Sequence, residues 1–229
     1  QWRLVANKAN MFNSLRVVHA QKIRALLFNP TGEPTVVTGR EAKYFVDERD
    51  LEVFGDVVTQ FPDGFSTKSE YLRYQPGPRI IQIPETYAVH GESDEDGDSD
   101  QTLDFDSMGM HYHMNANEVL LPRNVKANMR QGSKKTDSNV GVEDETEIRS
   151  DKCIMDRNAH IAHFTMYPER PVDKRFVRIT QPELFAKSRK ADLHYGDFKD
   201  VVNYLTATED VLMEEVDPET EELRYSTGG

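Results

Sequence analysis

Short apolar runs rich in β-branched and aliphatic residues open the chain. "LRVVHA" and "KIRALLF" read as strands, and "NPTGEP" before "TVVT" reads as a turn, because Pro fixes φ and Gly permits positive φ. Residues 22–38 are therefore predicted to form a β-hairpin. From Arg40 the spacing changes. Phe45, Val46, Val53, Phe54, Val57 and Val58 fall at helical intervals, which predicts two short helices meeting near residues 47–50. "RIIQIP" reads as a buried strand that Pro84 ends. "MHYHM", "NEVLLP", "CIMDRNAHIAHFTMY" and "KRFVRIT" read as further extended pieces. "QPELFAKSRK" reads as a helix with Pro in its first turn, and "DFKDVVNYL" as a short amphipathic helix capped by Asp197.

Polar stretches interrupt this pattern. Eight carboxylates lie between Glu92 and Asp106, so residues 90–106 read as an acidic surface loop. Residues 123–152 have glycines and no clear period, and read as a polar arm. Residues 208–229 read as an acidic tail with little core potential. The predicted fold class is α+β: a mostly antiparallel β-sheet with short flanking helices and long loops or arms, in one domain of 229 residues.

The net charge of −12 sets the surface field against nucleic acid, so direct nucleic-acid binding is not expected. The basic run "KSRK", Lys187 to Lys190, is the one local candidate against that expectation, and reads first as a solvated helix end. A single cysteine, Cys153, rules out an intramolecular disulfide and points to a reducing compartment. No apolar run approaches the length of a spanning helix, and no membrane partner is expected.

Two motifs carry candidate chemistry. In "HYHMNANE", His111 and His113 share one face if the segment is a strand, and Glu118 follows five residues later. The string His-x-His-x4-Glu resembles the first metal motif of cupins, and this resemblance implies a metal held by His111, His113 and Glu118. The residues after His113 point elsewhere. The turn formers "MNAN" and then Pro122 let Glu118 swing to the surface, away from the two imidazoles, and the histidines are then structural. The second motif, "ESDEDGDSDQTL", resembles part of an EF-hand calcium loop, with Glu92, Asp94, Asp96, Asp98 and Asp100 at alternate positions. Leu103 stands where that family has its bidentate Glu, so no ordered calcium is expected. His160 and His163 would share a face only on a helix, and this segment looks extended.

No phosphate-binding loop, CxxC pair, His-Glu-x-x-His or Gly-x-Ser-x-Gly is visible in the sequence. The favoured functional reading is a non-enzymatic structural or assembly protein of a large complex. Its most concrete form is a virion component (phage capsid, connector or tail), acting through contacts with other protein subunits and needing no cofactor. The location expected with it is a virion or the cytoplasm. The alternative is a cupin-like metal-dependent enzyme using His111, His113 and Glu118.

Overall fold

The computed structural model describes residues 2–28, 32–93, 101–131, 144–195, 204–216 and 223–228. They form eighteen β-strands, one short 3-10 turn at Val172–Lys174, and no α-helix. The chain divides into two compact units. The first comprises described residues 2–93 and 107–121, and the second residues 101–106 and those from Pro122 onward.

The first unit is a meander. Strands β1 (Trp2–Phe12), β2 (Val17–Phe28), β3 (Pro34–Phe45), β4 (Leu51–Gln60), β5 (Phe65–Gln75) and β6 (Ile80–Ser93) pair antiparallel, each with the next. Alternate side chains point inward, so Ala25, Leu27, Val37, Val53, Leu72 and Ile81 are buried while their neighbours are not. The ladders break along one line. Lys22 takes a positive φ of 49°, and the registers shift between Thr38 and Glu41, between Phe54 and Val57, and between Ser69 and Arg73. Such stacked bulges add twist and let successive strands bend together. Gly39 lies on this line because a Cβ there would stand 2.4 Å from Val53 Cγ1. Residues 107–113 of β7 (Gln101–His113) and β8 (Glu118–Leu121) complete the unit as a hairpin.

In the second unit, residues 101–106 of β7 pair with β9 (Val125–Gln131), which pairs with β10 (Asp144–Ser150). From β10 one ladder runs to β13 (Val177–Gln181), β14 (Leu184–Ser188), β17 (Leu212–Val216) and β18 (Leu223–Gly228). Another joins β11 (Lys152–Asp156), β12 (Ile161–Thr165), β15 (Lys190–His194) and β16 (Tyr204–Thr208). The irregular stretch after β12 is tied down by Asp151. Its buried carboxylate accepts hydrogen bonds from the Tyr167 backbone N–H at 2.9 Å and from both Arg170 Nε and Nη2.

The α+β expectation is overturned, because the described fold is almost wholly antiparallel sheet. The helical spacing after Arg40 has another origin. Phe45 ends β3, a turn covers residues 46–48, and Val53/Phe54 and Val57/Val58 are inward and outward neighbours on either side of the Gly55–Asp56 bulge. Inward Val53 and Val57 are buried, while outward Phe54 and Val58 are half-buried, so apolar pairs four residues apart arise without a helix. Pro182 starts no helix either; it sits in the β13–β14 turn. Pro84 does not end its strand, but lies where β6 has left the β5 ladder, a place that tolerates a missing donor. The helix expected over 197–205 falls mainly outside the described residues, and Tyr204 and Leu205 open β16. Among the described residues, the arm and tail contribute ladders: β9 with β10, and β17 with β18.

Candidate functional site: a free, cationic strand edge

Strand β1 has the alternation of an edge strand. Trp2, Leu4 and Ala6 turn inward opposite Leu27, Ala25 and Ile23, and the Trp2 ring lies 5.2 Å from that of Tyr44. Arg3 and Val5 turn outward. Among the described residues β1 pairs with β2 and no ladder joins its other edge, so a row of backbone N–H and C=O groups can accept a further strand. Two usual protections of such an edge are missing, since β1 is eleven residues long and has no proline; Arg3 and Lys8 are the charges along it, and it ends in apolar residues. Val5 is 50 % exposed, Met11 57 %, Phe12 47 % and Leu15 71 %. Exposed apolar residues beside a long unpaired edge mark a docking surface or a liability.

The charge here opposes that of the chain. Residues 1–45 hold seven Lys and Arg against two carboxylates, a net +5, while the whole chain carries −12. Arg3, Lys8, Lys22 and Arg24 are all exposed and form no ion pair among the described residues. The basic run singled out from sequence behaves in the opposite way. Lys187 Nζ and Arg189 lie over the Phe176 ring at 5.4 and 4.1 Å, Arg189 also pairs with Asp210 at 2.9 Å, and Lys190 pairs with Glu209 at 2.6 Å. That run is occupied by internal contacts, and the free cations stand singly along β1 and β2. No short motif marks them; the signal in the sequence was the sign of the first 45 residues taken together.

The histidine motif sits on the β7–β8 hairpin. His113 is the direct register partner of Glu118, and His111 that of Leu120, so the three residues share one half-buried face. Glu118 does not swing away from the imidazoles, because "MNAN" forms a turn that closes the hairpin tightly and returns it opposite His113. His111 Nε2 lies 3.4 Å from Gln82 Nε2. No group of three His, Cys, Asp or Glu able to hold a metal occurs among the described residues. Burial, and then the neighbouring His113, hold the His111 pKa below its ordinary value, against a smaller opposing pull from Glu85. Protonation is therefore easier in the unfolded chain. Stability is expected to fall as pH drops below about 6.5, the unfolded value. Denaturant titrations across that range should show a flatter profile for His111→Gln.

The remaining candidates are elsewhere engaged. In the acidic loop, Glu92 lies in β6 and pairs with Lys68 at 2.6 Å, while Asp94, Asp96, Asp98 and Asp100 lie outside the described residues. Cys153 is buried, and burial pushes its thiol pKa up, away from thiolate chemistry. His160 occupies a turn at φ 56°, whereas His163 in β12 pairs with Asp192 at 2.8 Å.

The family described as "LptC: Lipopolysaccharide-assembly, LptC-related" matches residues 1–130, more than half of the chain. Among solved structures, the chain is similar to LptH, the LptA-homologous periplasmic component of the conserved lipopolysaccharide transport device from Pseudomonas aeruginosa. That similarity has 11 % sequence identity and a TM-score of 0.40, over 79 % of this chain and 93 % of that one. No curated protein matches the chain.

Proposed function

The chain belongs to the LptC-related family of lipopolysaccharide-assembly proteins, and from that premise we propose that it is a docking component of lipopolysaccharide assembly in the cell envelope, joined to another protein of that process by strand addition at β1. Family membership overturns the virion reading, with its capsid, connector and tail forms, and also the cupin-like enzyme alternative. The virion or cytoplasmic location falls with them, and the place of action in this reading is the periplasm. The expectation of protein partners stands in its general form.

The observation that carries the proposal is the long unpaired outer edge of β1. Strand addition takes affinity from main-chain hydrogen bonds and specificity from alternate side chains. Asn7 offers a selective test. It lies between the paired positions Ala6↔Ile23 and Lys8↔Gln21 and has no register partner in β2. A proline there removes a backbone donor in mid-edge at the one position where no register pair of the β1–β2 ladder is lost. Asn7→Pro is expected to keep the fold within about 1 kcal/mol and to weaken capture of the partner at least about tenfold, as expected for a central interface position. The assay is affinity capture of the lipopolysaccharide-assembly proteins of the same organism. Full capture by the folded variant contradicts the proposal.

A further inference from the structure

We infer that the outer face of β1 and β2, with the apolar tip of their hairpin, rests on an anionic lipid bilayer surface. The registers place the residues. Arg3 and Val5 face outward on β1, and Arg24 is the partner of Val5 on β2. The alternation slips by one at Asn7 and Lys22, because Lys22 takes a positive φ. Beyond the slip Lys8, Asn10 and Phe12 continue the same outer face, opposite Gln21, His19 and Val17. One face thus carries three of the four unpaired cations, with Lys22 at its bend, and it ends in Phe12 and the turn residue Leu15.

The tip is preformed. Leu15 N donates to Phe12 O at 3.1 Å, Val46 N donates to Arg16 O at 2.9 Å, and Arg16 pairs with Asp47 at 2.7 Å. Its apolar side chains therefore stay outside the core although the hairpin is well tied, and hydrophobic residues held in water need another phase or partner. A bilayer surface supplies both things this face lacks. Its phosphates take the cations, and its interfacial zone takes Phe12 and Leu15 while Lys and Arg stems lie along apolar neighbours. An acidic protein would answer the charges alone. The rest of the chain, at −17, is repelled by the same surface, so charge selects this face. No described helix can span a membrane, and the contact inferred here is peripheral. It uses the face of β1, not its edge, and does not depend on the strand-addition partner.

The test is co-sedimentation of the full chain with vesicles and no partner protein. Binding is expected to vesicles of phosphatidylcholine with about one third phosphatidylglycerol, and not to phosphatidylcholine alone, with loss when salt rises from about 0.1 to about 0.5 M. Each cation near such a surface contributes about fivefold, so R3Q/K8Q/K22Q/R24Q is expected to lower binding on the order of 100-fold or more. The exposed control K174Q/R178Q should stay within about twofold, since its cations lie on other strands and turns. F12S/L15S serves as a second variant should the quadruple one not fold, and is also expected to bind more weakly. Asn7→Pro should bind vesicles normally, which separates this result from that of strand addition. Equal binding to both vesicle types, unchanged binding by a folded quadruple variant, or retention by poly-glutamate but not by vesicles overturns the inference.

Discussion

Phe164→Ala is expected to destabilise the second unit by about 4 kcal/mol, the middle of the range for aromatic truncation in a core. Phe164 is 2 % exposed in β12. Its register partners are Cys153 on β11 and Ala191 on β15, both buried and both small. The ring therefore fills space that its cross-strand neighbours cannot reach, and they cannot collapse into the gap when it is removed. The cost combines lost transfer energy with a persistent cavity. Chemical denaturation followed by intrinsic fluorescence or circular dichroism measures it. Phe164→Leu restores much of the volume and should recover over half of the loss.

Gly109→Val is expected to cost about 3 kcal/mol or more and to keep the chain from accumulating in folded form. Gly109 in β7 sits at φ +83°, a conformation that a β-branched residue strongly resists. Space is lacking as well. A Cβ there would lie 3.0 Å from both Cα and N of Glu85 and 3.1 Å from the carbonyl oxygen of Ile83. These are backbone atoms and cannot swing aside as a side chain would. The Ser107 hydroxyl donates to the Gly109 carbonyl at 2.9 Å and fixes the kink. The variant should appear in the insoluble fraction or unfold at much lower denaturant, and Gly109→Ala should lie between it and the original chain.

The strands were legible where apolar residues were dense and β-branched. β2, β3 and β13 follow directly from "RALLF", "TVVT" and "FVRIT". Legibility failed at bulges. At Gly55–Asp56 two residues oppose the single Glu70, and the spacing on either side imitates a helical period. Long-range pairing also defeated a local reading. The polar arm has only sparse apolar residues, Val125, Ala127 and Ile148 among them, yet these are buried, and β9, β10, β17 and β18 are held in sheets by main-chain hydrogen bonds that composition does not reveal. The histidine motif was located correctly on an extended segment, but the tightness of the "MNAN" turn was misjudged, and Glu118 returns opposite His113. The free edge of β1 was invisible for a related reason: whether a strand has a second neighbour is a property of the whole sheet and not of its residues.

In the proposed function, β1 is the edge through which this family member meets another protein of lipopolysaccharide assembly. A photo-crosslinking amino acid placed in turn at Val5, Asn7 and Ala9 of β1, and at Ser66 and Lys68 of the interior strand β5, tests it most directly in living cells. Crosslinks are expected from the β1 positions to a lipopolysaccharide-assembly protein and none from β5, whose two edges are already paired with β4 and β6 there. Crosslinks from β5 with silence along β1, or capture at β1 only of proteins outside that process, would contradict it.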